Sequence, residues 1–265
     1  MIKCLFALVL LVALRPGMIS AAEKPALIGG ESRVVAEVVD GDTVVLEEPV
    51  EGAREVRLIG LQAPKLPLGR PGFPIWPLAA EAKQALEELV RGRTVTLSYG
   101  GQRQDRYGRR LAQLHRDDGL WVQGEMLRRG MARVYTFADN RALAAEMLAL
   151  EDQARGGGRG IWADAFYGVR PAGRAGGDID TFQLVEGKVL DASRVKSRAY
   201  LNFGPKWRTD FTVTVDAKAL RLFRDKGVDP LTLEGRSIRV RGWLKSMNGP
   251  LIEATHPEQI EIRGP

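Results

Sequence analysis

Short β-branched runs punctuated by Gly and Asp begin at Ser32. "RVVAEVVDGDTVVLEE" and "REVRLIGL" alternate apolar and polar positions and predict three antiparallel strands. Next, "PKLPLGRPGFPIWPL" sets Pro64, Pro67, Pro71, Pro74 and Pro77 so close together that regular structure is excluded and a stiff exposed loop is expected. Leu78, Ala82, Ala85, Leu86, Leu89 and Val90 then recur at helical spacing, with Pro77 near the first turn and Gly92 after the end, so a helix is expected between them. "RTVTLSYG" and "GRRLAQLHRDDGLWV" read as further strands, with a turn at Asp117, Asp118 and Gly119. "GEMLRRG" is a short helix, "MARVYTF" is extended, and "NRALAAEMLALEDQARG" is an amphipathic helix with Leu143, Met147, Leu150 and Ala154 on one stripe.

Periodicity stops at "GVRPAGRAGGDID", residues 168–180, which is rich in Gly, Pro and charge and is expected to be a linker. It divides the chain into one domain at 33–167 and a second at 181–265. In the second, "FQLVEGKVLDASRV", "AYLNFG" and "DFTVTVDA" are strand-like, "KALRLFRDKG" is a helix, and "SIRVRGWLKSMNG" and "LIEATHPEQIEIR" are strands again. Three strands, a helix and two strands is the order of the five-stranded OB barrel, so the fold class is mainly β, of the α+β type. In "SIRVRGWL" the alternation sets Ile238 and Val240 on one face and Arg239 and Arg241 on the other, which predicts exposed arginines.

The first residues change the picture of where the chain works. Lys3 precedes an apolar run from Cys4 to Leu14, followed by Arg15, Pro16 and the small residues Ser20, Ala21 and Ala22, the layout of a cleavable export signal over residues 1–22. A periplasmic or extracellular protein is expected. The run is too short to serve as a permanent bilayer span, so no stable membrane insertion is expected once the signal is cut. Cys4 is the chain's one cysteine, so a mature chain has no thiol for a disulfide or a thiolate metal site. Removing Lys3 and Arg15 from the formal +6 leaves +4, a surplus that suits polyanionic partners.

Candidate chemistry lies in three pieces of the first domain: "VVDGDTVVL" at 38–46, "VRLIGLQAPK" at 56–65 and "DRYGRRLAQL" at 105–114. "GEMLRRGMARVY" at 124–135 and "GRGIW" at 158–162 continue the series. In this order the pieces resemble the staphylococcal nuclease, or thermonuclease, family over roughly residues 33–164. The resemblance implies an OB-type five-stranded barrel with added helices, followed here by a second small OB-like barrel, and calcium-dependent cleavage of nucleic-acid phosphodiesters. It carries Arg57 and Arg109 over as two catalytic arginines, whose planar forks bind phosphate oxygens and stabilise transition-state charge. It makes Asp42 the better metal-ligand aspartate, Asp40 a nearby second acid, and Ala63 a carbonyl donor to calcium, a hard cation that needs several oxygen ligands. Tyr107 matches a phosphate-side tyrosine of the substrate pocket, with Asp105 in the same motif, and Tyr135 falls where the family places a stacking aromatic.

The chain departs from the family pattern at the end of "VRLIGLQAPK". Active relatives carry an acid, a small residue, a proline and an acid there; this chain carries Gln62 and Lys65 at the two acidic positions. A glutamine oxygen brings calcium no charge. A lysine ammonium has no lone pair to take a proton from water, and at about 4 Å and an effective dielectric near 20 it opposes a cation by roughly 4 kcal/mol per unit charge. The expectation is a pocket with a weakened metal site at Asp42, Asp40 and Gln62, holding phosphate without efficient calcium-assisted cleavage. Glu81 sits on the predicted helix, where an acid favours the amino-terminal turn, and His115 and His256 are isolated polar residues.

The second domain combines Arg194, Lys196, Arg198, Lys206, Arg208, Arg239, Arg241 and Lys245 with Tyr200, Phe203, Trp207 and Trp243. That mixture suits single-stranded nucleic acid or nucleotide phosphates, through phosphate attraction and base stacking. Phe211 and Trp243 also suit a small barrel's core. Three readings therefore stand: an exported nucleic-acid binder with calcium-dependent cleavage lost, an active calcium-dependent nuclease with an altered base, and an envelope scaffold for protein partners of unknown identity.

Overall fold

Valine and leucine alternate along the first strands because every second side chain faces one core, and Val38, Val44, Leu46, Val56 and Leu58 are all fully buried. The computed structural model describes residues 27–264, so the segment 1–22 expected to be an export signal lies outside the described residues. The chain runs β1 Ile28–Asp40, β2 Thr43–Val50, β3 Ala53–Leu58, β4 Gly60–Gln62, α1 Ala79–Val90, β5 Thr94–Tyr99, β6 Arg110–Arg116, α2 Val122–Arg128, β7 Arg133–Tyr135 and α3 Ala144–Gly156. Five of these strands close a barrel in the order β1-β2-β3-β6-β5, with β3 and β6 parallel and the other pairs antiparallel. This is the OB order, and it confirms the mainly β class with added helices.

Two features position the rim where the motifs meet. Register shifts between Val35 and Glu37 and between Val38 and Asp40 kink the end of β1; such bulges re-aim side chains, and here they coincide with the burial of both Asp40 and Asp42. Helix α1 buries Ala82, Ala85, Leu86, Leu89 and Val90 against the barrel. Its Ala82 comes so close to the β1–β2 turn that a Cβ on Gly41 would stand 2.9 Å from the Ala82 Cβ and 2.6 Å from that of Ala63.

Beyond the barrel, the expected linker is ordered structure. β8 Arg170–Pro171 pairs parallel with β9 Phe182–Lys188, and a 3-10 stretch over Ala172–Asp178 buries Ala175 in the second core. Arg170 ties the segment down by donating to the carbonyls of Ala165, Phe166 and Gly168 and to Asp178. The chain continues through β10 Asp191–Val195, β11 Arg198–Asn202, β12 Thr212–Val215, α4 Ala217–Asp225, β13 Ser237–Trp243, β14 Lys245–Ser246, β15 Pro250–Glu253 and β16 Ile260–Ile262. Asp216 caps α4 by accepting from the Ala219 amide at 2.7 Å. The strands form two sheets, β10-β11-β12-β15-β14 and β16-β13-β9-β8. The parallel β12–β15 pair echoes β3–β6, but β13 bonds to β9 and β16 rather than to β15. The second unit is thus a pair of sheets in place of the expected closed barrel.

The arginines of β13 are buried, against expectation. Arg239 is 6% exposed and Arg241 1%, because the face opposite Ile238 and Val240 is covered by α3 of the first unit. Arg241 donates to Glu151 of α3 at 2.7 and 3.0 Å, to Glu261 at 2.5 Å and to the Val134 carbonyl at 3.1 Å. Burial pushes the Glu151 carboxyl up, but Arg241 and Arg155 outweigh it and hold it below the usual range. His256, fully buried, adds a second link through Thr136 Oγ1 at 2.7 Å from its Nε2. The two units meet through a dense polar interface that fixes β13 against the barrel.

Candidate functional site

The β1–β2 turn carries both acids, and the strand end that follows β4 carries the lysine. Lys65 Nζ lies 2.6 Å from each carboxylate oxygen of Asp42 and 3.1 Å from Asp40 Oδ2. Arg57, on β3 opposite Thr43, adds a guanidinium 3.1 Å from Asp42. Asp42 also accepts from the Ala63 amide at 2.9 Å. Two carboxylates and two cations therefore sum to zero charge in a nearly closed space. Burial pushes the Asp42 carboxyl up, but Arg57 and Lys65 together hold it well below the usual carboxylate range. Asp40 goes the other way: burial and the neighbouring Asp42 charge raise it, in spite of Lys65.

Gln62 does not join this cluster. β4 pairs with β7 so that Gln62 faces Arg133, and its Oε1 accepts from Arg133 Nη2 at 2.7 Å and Nε at 3.0 Å. Burial pushes the Arg133 guanidinium down to about 10, and its plane lies over the Phe182 ring at 4.7 Å. Ala63 contributes its amide to Asp42, while Glu81 is exposed on α1 and His115 lies on β6 beside Ser98.

Beside the acidic cluster a cavity of about 510 Å³ opens at the rim, lined by Arg57, Arg106, Arg109, Tyr107, Tyr135 and Phe137 among others. Because β3 and β6 lie side by side, Arg57 and the Arg109 that precedes β6 reach it from neighbouring positions. Arg57 is largely occupied: Nη1 donates to the carbonyls of Asp42 and Leu58, and Nη2 to the Leu61 carbonyl and the Asp42 carboxylate. Arg109 is the freer fork. Asp105 holds only its Nε and Nη2, at 2.8 and 2.7 Å. The same carboxylate accepts from the amides of Tyr107 and Arg109, a tight turn that Gly108 permits with φ of 83°. Burial raises Asp105, and the Arg109 hydrogen bonds more than reverse that shift, leaving it low. Tyr107 is 68% exposed at the cavity mouth, and Tyr135 sits half-buried in its wall.

The model of the family described as staphylococcal nuclease homologue matches residues 55–164, the stretch that holds this rim. An uncharacterized endonuclease of Escherichia coli O157:H7 is 35% identical over 133 residues, which is 49% of this chain and 76% of that protein. The chain belongs to the staphylococcal nuclease homologue family. A thermonuclease of Staphylococcus intermedius is 30% identical over 113 residues, 43% of this chain and 65% of that protein. Nucleases of the staphylococcal family are generally calcium-dependent.

The residues of this chain do not fit that ion. Calcium needs several anionic or carbonyl oxygens, and here an ammonium already satisfies Asp42 and Asp40 while the Gln62 oxygen is committed to Arg133. Among the described residues no group of three His, Cys, Asp or Glu is placed to hold a metal. The pattern of residues revealed the missing acids but not Arg133, whose pairing with Gln62 spans 71 positions. It also missed Phe137. Alternation in "RVYTF" puts Arg133, Tyr135 and Phe137 on one side of the strand, the signal that would have found it.

Proposed function

We propose that this chain is an exported nucleic-acid-binding protein that holds phosphates of a single strand at Arg109 and Arg57 and has lost efficient calcium-dependent cleavage. One observation carries the reading: the Lys65 ammonium stands 2.6 Å from both oxygens of Asp42, where a divalent ion would otherwise find its best carboxylate. A divalent ion entering there meets a fixed positive charge and two acids already paired, so the metal's contribution to activating water is gone. Anion attraction is kept, because the cavity places three arginines against Asp105 and Asp139. The apolar segment after Lys3 supports export.

The test incubates the mature protein with single-stranded DNA in calcium and in chelator, with binding measured across a salt series. Binding that weakens as salt rises, with no calcium-dependent digestion, is the expected result. Calcium-dependent digestion abolished by Arg57→Ala would reject the reading in favour of an active nuclease. Binding indifferent to salt would favour a protein scaffold.

A further inference from the structure

An aromatic ridge leaves the phosphate cavity and crosses onto the second unit. Tyr135 and Phe137 line the cavity wall, with ring centroids 4.9 Å apart and an interplanar angle of 89°. Tyr135 also meets Phe182 of β9 edge-on at 4.8 Å, and its hydroxyl accepts from Trp243 Nε1, at the end of β13, at 3.0 Å. Phe182 and Trp243 meet edge-on, with centroids 6.4 Å apart. The inner members of this chain are covered: Phe182 is 4% exposed and Tyr135 half-buried. The outer two are open to solvent, Phe137 at 52% and Trp243 at 45%.

Exposed aromatics on a fixed frame stack bases, since every base has a π-face and a rigid ring loses little entropy on contact. The frame here is held on both sides. Arg241, two positions before Trp243 on β13, is locked to Glu151 of α3, and Arg133 lies over Phe182. We infer that Trp243 of the second unit and Phe137 of the first form a base-stacking shelf that extends the arginine cavity, so that the protein binds single-stranded oligonucleotides in preference to single nucleotides. The inference rests on the proposed phosphate binding. The occupant follows from continuity: the ridge opens into a cavity that carries Arg57, Arg106 and Arg109, so a chain with a phosphate there has its neighbouring bases beside the rings.

The experiment titrates the full mature chain with thymidine 5′-monophosphate and with an oligodeoxythymidylate of about eight nucleotides, within the range a single-strand-binding module covers. Trp243→Ala is expected to weaken oligomer binding roughly 5- to 150-fold, the equivalent of about 1–3 kcal/mol for one lost stack, and to leave the mononucleotide unchanged. Unchanged mononucleotide binding also reports that the variant folds. Trp243→Phe keeps a ring and is expected to retain most of the oligomer affinity. Phe137→Ala should act in the same direction as Trp243→Ala. Oligomer and mononucleotide bound equally well, or both weakened equally by Trp243→Ala and by Trp243→Phe, would overturn the shelf while leaving phosphate binding standing. Oligomer binding lost with Trp243→Ala but untouched by Arg109→Ala would keep the shelf and remove the cavity from the proposed function. Failure to bind either ligand would overturn both.

Discussion

The Lys65 ammonium bridges both carboxylate oxygens of Asp42, 2.6 Å from each. The ion pair occupies the acids that a metal would need. Lys65→Glu combined with Gln62→Asp is therefore expected to create measurable calcium binding by titration calorimetry where the parent has none. Gln62→Asp alone should stay silent, because Lys65 still occupies the carboxylates of Asp42 and Asp40 and still opposes a cation there. Calcium binding by the unmodified protein would remove the basis for this expectation.

The two arginines of the cavity should separate in experiment. Arg109→Ala is expected to weaken phosphate binding by roughly 10- to 100-fold, since a charge-assisted hydrogen bond is worth about 1.5–3 kcal/mol, with little change in a urea melt. Its protein partner Asp105 is half-buried but reached by solvent, and keeps the amides of Tyr107 and Arg109 as donors. Arg57→Ala is expected to cost stability as well, about 2–4 kcal/mol, because the carbonyls of Asp42, Leu58 and Leu61 and the buried Asp42 carboxylate each lose one donor, Lys65 and the Ala63 amide staying on the carboxylate. Equal effects of both substitutions on the melt would show that Arg57 is not structural.

Gly41 should not tolerate a side chain. A Cβ there meets the Ala63 and Ala82 Cβ atoms at 2.6 and 2.9 Å, and neither belongs to a flexible side chain that can swing away. Gly41→Ala is expected to destabilise by about 1–3 kcal/mol through overpacking, and to loosen the turn that sets Asp40 beside Asp42. A melting curve indistinguishable from the parent would contradict that packing.

The buried clamp between the units makes a sharper demand. Breaking a buried pair from one side leaves its charge poorly compensated, so Arg241→Met is expected to cost about 3 kcal/mol, with the fully buried Glu151 left to Arg155 at 3.2 Å. Replacing both, Arg241→Met with Glu151→Leu, should recover much of the loss. A double variant no more stable than the single one would show that the pair is not the energetic link.

How much of this was legible in the chain depends on what lies opposite each face. Strand and helix positions around the first barrel followed from alternation and from the Leu78–Val90 spacing, because one face of each element meets one core. Alternation in β13 also separated Ile238 and Val240 from the two arginines correctly. It could not say that the second face is covered, since the cover is α3, with Glu151 lying 90 positions from Arg241. The same blindness affected Gln62: its identity announced a missing charge, while its partner Arg133 followed only from the β4–β7 pairing. Lys65 was legible as a charge hostile to metal, but its bonds to both aspartates depend on how the proline loop returns toward the β1–β2 turn.

Acid should loosen the junction between the units through His256. Burial, and then the charges of Arg141 and Arg241, push its imidazole down to about 4, so the folded protein holds the ring neutral between Thr136 and Thr255. The unfolded chain, titrating near the ordinary value of about 6.5, binds the proton first as pH falls. Stability from this group is thus complete above about pH 6.5 and declines on the way down to about pH 4, by up to about 3 kcal/mol. Urea melts across that window are expected to show the decline in the parent and a flatter profile in His256→Gln, where no proton is taken up. A profile of unchanged slope in the variant would assign the acid sensitivity to the Glu151 carboxylate instead, whose lowered pKa places its own loss at lower pH.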